Sequence, residues 1–322
     1  MEKSFKAGSI ALVGAPNAGK STLLNAVLGQ KVAAVSPKPQ TTRNRVAGIL
    51  TTESMQAVLI DTPGIHDPER SRSPLNRALV RIAEATLGEV DAVCWVVDAA
   101  RSAARAEAST EAEELPIVTG IIAEIAERLA GMEIPVIVAL NKTDRVEKRW
   151  LLPVIQGLST ALPAAQILPV SAVKGDGVAQ LVRAWGEALP EGEADYPADQ
   201  LLIDSERFVV SELIREQIFR LTEEEIPYAT AVEIEKFDES QREEARGGGR
   251  PEVEIYARIL VERSSQKGIV IGRGGEMLKA IGTRSRREIE GLLGCHVFLH
   301  LHVAVERDWS RDPRHLRRMG LE

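Results

Sequence analysis

The sequence predicts two domains: an α/β domain with a mostly parallel sheet and helices on both of its faces, and then a smaller α+β domain. Apolar strand-like runs alternate with helical patterns through the first part of the chain, which is the pattern of a parallel sheet. After an acidic stretch with proline and glycine, two runs alternate apolar and polar residues, as half-buried strands do. We therefore expect the α/β domain at residues 1–188, a linker at 189–200, the α+β domain at 201–308 and a basic tail at 309–322.

Composition is that of a soluble globular protein, with 44% hydrophobic and 27% charged residues in a chain of 322. No apolar run is long enough to span a bilayer, and Met1–Ser4 lacks the apolar core of a signal peptide. Cys94 and Cys295 make neither a disulfide framework nor the paired spacing of a zinc site, so we expect a cytoplasmic location. The net charge of −7 argues against nonspecific nucleic-acid binding by the whole molecule but allows a local basic face.

The first motif follows the strand-like run Ser9–Val13 and precedes a helical pattern that stops at Gly29. It reads G-x-x-x-x-G-K-S, and this arrangement of strand, loop and helix aims backbone N–H groups at a polyphosphate. Lys20 is expected to reach the β- and γ-phosphates, and the Ser21 hydroxyl to hold Mg²⁺. The predicted phosphate site consists of Gly14, Ala15, Pro16, Asn17, Ala18, Gly19, Lys20, Ser21 and Thr22.

A polar run with two prolines, Val35–Arg43, is predicted to be a loop, and it carries Thr41 and Thr42. In a GTPase, a threonine at this place senses the γ-phosphate through Mg²⁺ and a backbone N–H. Taken alone, the two threonines fit an ordinary turn equally well. The motifs that follow give them their significance.

Three later strand-like runs end in polar sequences that fit a guanine nucleotide. Ala57–Ile60 leads into Asp61-Thr62-Pro63-Gly64, where Asp61 can hold a Mg²⁺-bound water and Gly64 can approach the γ-phosphate. Val136–Leu140 leads into Asn141-Lys142-Thr143-Asp144, and Asp144 can accept hydrogen bonds from guanine N1–H and its exocyclic amine. Ile167–Val170 leads into Ser171-Ala172. These elements, in this order after the phosphate loop, predict a Ras-like P-loop GTPase.

Ile65 follows Gly64 where a water-positioning glutamine is usual, so intrinsic hydrolysis should be slow or should use another device. Asn17 has two interpretations: it is a ligand of a K⁺ ion that replaces an arginine finger, or it only favours the geometry of its turn. The candidate catalytic residues are Lys20, Asn17, Thr42 and Gly64, and the candidate Mg²⁺ ligands are Ser21, Thr42 and, through water, Asp61.

The strand-like run Ala92–Val97 ends at Asp98 and is followed by an Ala/Glu-rich stretch, residues 99–114. We interpret this stretch as a solvated surface insertion or as an extension of a helix, and it carries no assignable chemistry.

The second domain begins with a helical pattern around Leu213, followed by the strands Thr230–Phe237 and Val253–Leu260 on either side of a Gly247–Gly249 turn. A Gly272-x-x-Gly275 loop then lies between two helical patterns, and a last strand, His296–Val305, closes the domain. This is the element order of a type II KH domain, whose G-x-x-G loop clamps single-stranded RNA; the alternative is a structural turn.

Apolar neighbours of the Gly-x-x-Gly loop, Ile269, Val270 and Ile271, offer a floor for bases, and nearby basic residues offer phosphate contacts. In the tail, Arg311, Arg314, Arg317 and Arg318 extend this basic surface or belong to a solvated helix end. The candidate RNA-binding residues are Lys267, Gly268, Ile269, Ile271, Gly272, Arg273, Gly274, Gly275 and Lys279.

A GTPase domain followed by a KH domain is a specific pairing, and the chain resembles the Era family of ribosome-assembly GTPases over nearly its full length. Besides the motifs above, the resemblance rests on Pro39–Arg43, Ser171–Gly175, Tyr196-Pro197, Glu225–Tyr228 and Gln266–Ile281. It departs at residues 99–114 and at His300 and His302, which touch no motif.

The resemblance implies hydrolysis of GTP to GDP with Mg²⁺, binding of 16S ribosomal RNA near its 3′ end, and a role in 30S subunit maturation. It also implies nucleotide contacts from Thr62, Pro63, Ser171, Ala172 and Val173. It leaves open which threonine binds Mg²⁺, and we favour Thr42. We expect a monomer that binds no DNA, and we leave open a peripheral association with the inner face of the cell membrane.

Two other function classes stay open from the sequence. One is a GTP-driven switch whose second domain binds a protein or a membrane, which would bind no RNA as purified protein. The other is an RNA-binding module with a structural nucleotide, which would not turn over GTP.

Overall fold

The computed structural model describes residues 4–38, 41–64, 74–108, 118–244, 251–310 and 312. The chain divides into two compact units, which we call unit 1 and unit 2. Unit 1 comprises residues 1–29, 42–72 and 76–203, and unit 2 comprises residues 30–41, 73–75 and 204–322. The short segment 30–41 is therefore part of unit 2, although it lies between two stretches of unit 1 in the sequence.

Unit 1 is built on a six-stranded sheet in the order β2-β3-β1-β4-β5-β6. All neighbouring strands are parallel except β2 and β3, which are antiparallel. The mostly parallel sheet is thus confirmed, whereas β2 at its edge was not among the predicted strands. The strands are β1 (Lys6–Val13), β2 (Val46–Thr51), β3 (Met55–Asp61), β4 (Ala92–Asp98), β5 (Val136–Asn141) and β6 (Gln166–Pro169).

Helices cover both faces of this sheet. Four successive residues of β1, Ile10–Val13, are fully buried, which requires a cover over both of the directions in which their side chains point. One face packs against α3, α4 and α5, and the other against α1 and α6. The helices are α1 (Lys20–Leu28), α2 (Pro74–Leu87), α3 (Ala99–Ala108), α4 (Ile121–Ala130), α5 (Lys148–Ala161) and α6 (Val178–Ala188).

The Ala/Glu-rich stretch after Asp98 begins as a packed helix. In α3, Ala99, Ser102, Ala103 and Ala106 are buried, and this spacing of three and four residues places them on one helix face. The interpretation as a solvated insertion is wrong for residues 99–108, and the interpretation as a helix is right. Residues 109–114 lie outside the described part of the chain.

The segment predicted as a linker is hydrogen-bonded to unit 1. The N–H of Ala7 donates to the carbonyl of Pro190 at 3.2 Å, and the side chain of Gln56 binds the backbone of Tyr196 in both directions at 2.8 and 2.9 Å. Beyond it, the N–H of Ile203 donates to the carbonyl of Ala47 in β2 at 3.2 Å. The chain therefore stays against unit 1 as far as residue 203.

Unit 2 has a three-stranded sheet in the order β7-β8-β9, with β7 and β8 antiparallel and β8 and β9 parallel. The predicted α+β architecture is confirmed, and its Gly247–Gly249 turn lies outside the described residues. The elements are α7 (Glu206–Leu221), β7 (Thr230–Asp238), α8 (Ser240–Glu244), β8 (Glu252–Val261), α9 (Ser264–Ile271), α10 (Glu276–Leu293) and β9 (His296–Val305).

Trp309, at the start of the predicted tail, is a core residue of unit 2. It is fully buried against Ala231 and Leu260, and its indole N–H donates to the carbonyl of Ala229 at 3.0 Å. The four arginines of the predicted tail lie outside the described residues.

Among the helices that the structure describes, each is too short or too polar to cross a lipid bilayer.

Candidate functional site

A buried lysine, Lys20, stands where the loop between β1 and α1 ends. Lys20 is the first residue of α1, and its ammonium group donates to the carbonyls of Gly14 and Ala15 at 3.1 and 3.2 Å. Burial lowers the pKa of Lys20, and the charge of Asp61 opposes this effect. A phosphate group at this place would supply the opposite charge that a buried ammonium favours, so the loop fits the predicted anion.

Gly19 precedes α1 and lets the loop pass close to β5. Its φ is +100°, and a Cβ built on it would lie 2.3 Å from the side-chain nitrogen of Asn141. No side chain caps the first turn of α1, so its N–H groups point towards the loop. A side chain at this position would be both strained and in collision with its neighbour.

Three oxygen-bearing side chains meet beside this loop. The Ser21 hydroxyl donates to the Asp61 carboxylate at 2.6 Å and lies 2.8 Å from the Thr42 hydroxyl, which is 3.4 Å from the same carboxylate. Two hydroxyls and a carboxylate are the kind of donors that Mg²⁺ binds. The predicted metal ligands are therefore together in the fold.

Thr42 rather than Thr41 belongs to this cluster. The Thr41 hydroxyl donates to the carbonyl of Lys38 at 2.8 Å and lies 2.6 Å from the Ser36 hydroxyl, so it is engaged within its own loop. Pro39 and Gln40 between them lie outside the described residues.

Around Gly64 the backbone passes close to the phosphate loop. A Cβ on Gly64 would lie 2.9 Å from the backbone of Pro16. Thr62 turns away from the site, because its hydroxyl donates to the carbonyl of Leu12 at 2.9 Å. Pro63 between them is buried. Ile65, which stands where a water-positioning glutamine is usual, lies outside the described residues.

Asn141 joins the phosphate loop to the loop after β6. Its amide donates to the carbonyl of Ala18 at 3.0 Å, and its side-chain oxygen accepts from the N–H of Ala172 at 3.0 Å. The Asp144 carboxylate accepts from the Ser171 hydroxyl at 2.7 Å, which fixes its orientation. Val173 is 73% exposed.

Lys142 makes a further connection across the site. Its ammonium donates to the carbonyl of Asn17 and to the carboxylate of Asp98, both at 2.6 Å. The sequence placed Asp98 at the end of a strand without a role, and only the fold shows that it anchors Lys142. Asn17 itself has a φ of +62°, which agrees with the interpretation that this residue favours the turn.

In unit 2, the Gly-x-x-Gly loop joins α9 and α10. Gly272, Gly274 and Gly275 have φ values of +74°, +60° and +85°, and a single 3₁₀ turn spans Arg273–Gly275. Arg273, Gly274 and Lys279 are exposed beside it, and Lys267, Ile271 and Gly275 are partly exposed. The loop and its basic neighbours are thus accessible on one part of unit 2.

Fewer apolar residues beside this loop are accessible to bases than the sequence predicts. Ile269 is 49% exposed, as such a contact requires, and Gly268 beside it is exposed. Val270 is fully buried in the core, so its inclusion in the floor is wrong.

His300 and His302 lie on the exposed face of the three-stranded sheet. Their imidazoles are 3.4 Å from Glu254 and 3.8 Å from Glu235, respectively. Within the described ranges, no group of three His, Cys, Asp or Glu side chains is arranged to hold a metal ion.

Two family models match different parts of the chain. A model described as a 50S ribosome-binding GTPase matches residues 9–142, and a KH-domain model matches residues 225–310. Curated relatives match along the whole chain. GTPase Era of Geotalea uraniireducens strain Rf4 is 46% identical over 321 residues, covering 100% of this chain and 99% of the relative. GTPase Era of Geobacter metallireducens is 45% identical over 319 residues, covering 99% of each.

Solved structures give the same result. A crystal structure of Era in complex with MgGDPNP and nucleotides 1506–1542 of 16S ribosomal RNA superposes with a TM-score of 0.86 at 36% identity, covering 98% of this chain and 99% of that one. A variant of Aquifex aeolicus Era bound to GDP and AlF₄⁻ superposes with a TM-score of 0.82 at 35% identity, with the same coverage. Since relatives 44–46% identical match the chain from end to end, and both domain models match in the predicted order, the chain belongs to the Era family of GTPases.

Proposed function

We propose that this GTPase is a GTP-dependent switch that binds 16S ribosomal RNA near its 3′ end through unit 2 and assists maturation of the 30S subunit. The observation that carries the proposal is the likeness, over almost all of both chains, to an Era structure that contains MgGDPNP and an RNA of nucleotides 1506–1542. The two candidate sites of this chain, the phosphate loop and the Gly-x-x-Gly loop, provide the chemistry that those two ligands need.

In the nucleotide site, Lys20 and the N–H groups of the loop bind the phosphates. Lys20 is buried, and its ammonium is held at the loop by the carbonyls of Gly14 and Ala15, so it is pre-positioned for the β- and γ-phosphates. Ser21 and Thr42 bind Mg²⁺, and Asp61 holds the metal through a water molecule. The metal neutralises charge that develops on the phosphates during transfer.

The base lies against Asn141, Lys142 and Asp144. Asn141 positions the loops on either side of the base, because it binds the backbone of both. Asp144 reads guanine by accepting from N1–H and the exocyclic amine, and the Ser171 hydroxyl holds its carboxylate in place. Adenine presents no such pair of donors, so the carboxylate selects guanine.

Asn17 has a second proposed role, as a ligand of K⁺ beside the β–γ bridge. Asn17 is exposed in the phosphate loop, and its backbone carbonyl accepts a hydrogen bond from the ammonium of Lys142. A cation there would do the work of an arginine finger. The cytoplasmic location and the monomeric state of this protein stay predictions. A peripheral association with the membrane stays an open alternative.

Asp144→Asn should weaken GTP binding by at least about tenfold, because the new amide N–H₂ faces the donors of the base. The same variant should gain affinity for xanthosine triphosphate, which carries an oxygen where guanine has its amine. Calorimetric titration with both nucleotides measures the exchange of specificity. Asp176→Asn is the matched control, since Asp176 is exposed in the neighbouring loop. Parent-like GTP affinity in Asp144→Asn would remove Asp144 from the role of base reader.

Turnover of GTP should be faster in KCl than in matched NaCl, and Asn17→Gly should abolish the difference. Glycine keeps the turn, because it adopts a φ of +62° without strain, but it removes the side chain that binds the ion. Release of inorganic phosphate measures both rates. If the parent hydrolyses GTP equally fast in the two salts, or if Asn17→Gly keeps the preference, the ion-ligand role is wrong.

Gly275→Asp should reduce affinity for an RNA of nucleotides 1506–1542 by at least about tenfold while GTP affinity stays unchanged. The substitution puts a negative charge and a strained side chain where the phosphate backbone approaches. Fluorescence anisotropy of labelled RNA measures the loss. Gly291→Asp adds the same charge further along α10, where a Cβ has open space, and it should bind RNA like the parent. Equal RNA affinities in the two variants would place the RNA site elsewhere.

A further inference from the structure

The segment 30–41 leads into Thr42 but packs within unit 2. Residues up to Gly29 and from Thr42 onward belong to unit 1, whereas residues 30–41 share a compact unit with α7 and α10. Hydrogen bonds and ion pairs from charged side chains of α7 hold this segment, and Arg215 and Glu216 among them are buried. A buried polar contact is costly to break unless a new partner replaces the old one.

Glu216 of α7 is the main anchor of the segment. Its residue is 0% exposed, and its carboxylate accepts from the ammonium of Lys31 at 2.8 Å and from the N–H of Val35 at 3.0 Å. Arg220, one turn later, pairs with the same carboxylate at 2.8 Å and donates to the carbonyl of Val35 at 2.9 and 3.2 Å. If the segment moved away, the buried Glu216 carboxylate would lose the hydrogen bonds from Lys31 and Val35.

The segment is also bound to α10, the helix that begins at the Gly-x-x-Gly loop. The Lys31 ammonium lies 3.3 Å from the Glu288 carboxylate, and the Gln30 amide donates to the carbonyl of Leu292 at 3.0 Å. The segment therefore contacts both long helices of unit 2.

Arg215 holds the far end of the segment. Its guanidinium donates to the carbonyl of Thr41 and pairs with Glu212, whose carboxylate accepts from Arg215 Nε at 2.8 Å. The guanidinium also lies over the ring of Phe219, 5.1 Å from its centre. Arg215 is 3% exposed, so both of its polar contacts form away from bulk water, where they are strongest. The Glu212 carboxylate and the ring of Phe219 therefore fix the orientation of the guanidinium that binds the Thr41 carbonyl.

The Thr41 carbonyl belongs to the same planar peptide group as the N–H of Thr42. In a trans peptide the two point in opposite directions, so a donor that fixes the carbonyl also fixes the N–H. The Thr42 hydroxyl is the one that lies with Ser21 and Asp61. Arg215 thus sets the orientation of the peptide group that carries the candidate metal ligand and its N–H.

We infer that Arg215 is a positioning residue for the GTPase reaction: it orients the Thr41–Thr42 peptide so that Thr42 reaches Mg²⁺ and the γ-phosphate. This inference rests on the proposed function, in which Thr42 senses that phosphate. GDP has no γ-phosphate, so Arg215 should contribute to the binding of GTP and its analogues but not to the binding of GDP.

The test is the double variant Glu212→Leu/Arg215→Met, which removes both charges and leaves no unpaired buried ion. Affinities for GDP and for the nonhydrolysable analogue GDPNP are measured at saturating and at limiting Mg²⁺. We expect the GDPNP affinity at limiting Mg²⁺ to fall about tenfold and the GDP affinity to stay within a factor of two. Circular dichroism and thermal unfolding establish that the variant is folded.

Arg258→Met is the matched control. Arg258 is an arginine of the same unit that pairs with Glu233 at 2.5 Å on the three-stranded sheet. It should leave both affinities and their Mg²⁺ dependence unchanged. Arg215→Lys provides a second variant, because it keeps the positive charge next to Glu212 but loses the planar fork that reaches the Thr41 carbonyl.

Selective loss of GDPNP affinity in both Arg215 variants supports the inference. Equal losses for GDP and GDPNP, or no loss for either, in folded protein would overturn it. The parent separates this result from a failure of the proposed function: a parent that binds GDPNP no better with Mg²⁺ than without it would contradict the GTPase site itself.

Discussion

The nucleotide site depends on the hydrogen bonds of one buried amide, Asn141. Parallel strands bring their carboxyl ends to one edge of the sheet, but loops that leave this edge have no reason to keep a fixed spacing. Asn141 supplies that spacing, since it binds Ala18 of the phosphate loop and Ala172 of the loop after β6. Lys142 adds a second connection from Asp98 to Asn17. These hydrogen bonds hold the loops that carry the candidate phosphate and base residues at a fixed spacing.

A second network, in unit 2, contacts the segment that leads into Thr42. Glu216 and Arg215 are buried on α7, and each has a donor or acceptor in residues 30–41. Because both charges have partners in this segment, α7 can bury them at low cost, although the helix lacks a strong apolar stripe. A helix that must satisfy internal charges through one neighbouring segment is sensitive to the position of that segment.

Much of the fold was predictable, because local patterns determine it. Fully apolar runs such as Ala92–Val97 identify buried parallel strands, and the glycines around Arg273 identify a loop between helices. The edge strand β2 was missed because its short run, Val46–Thr51, has a glycine and no clear turn signal before it. Ala99–Ala108 was left open, because alanine suits both a surface helix and a packed one.

Site residues in motifs could be placed from the sequence, whereas residues that support them could not. Asp98 and Arg215 have no local signal, since their partners Lys142 and Thr41 are distant in the sequence. On a helix, Glu212, Arg215 and Glu216 have the spacing of an ordinary exposed ion-pair network, and only tertiary packing buries them. The choice between Thr41 and Thr42 also needed the fold, because both lie in one polar loop.

We expect the binding of nucleotide and the binding of RNA to be coupled, and the affinity for RNA in two nucleotide states measures this coupling. Binding of an RNA of nucleotides 1506–1542 is titrated with protein saturated by Mg²⁺–GDPNP or by Mg²⁺–GDP at one salt concentration. We predict tighter RNA binding with GDPNP, by a factor within the range of about 5 to 150 that is usual for coupled sites. By reciprocity, RNA must raise the affinity for GDPNP relative to GDP by the same factor. Identical RNA affinities in the two states would contradict the account and leave a GTPase joined to an RNA-binding domain without a switch.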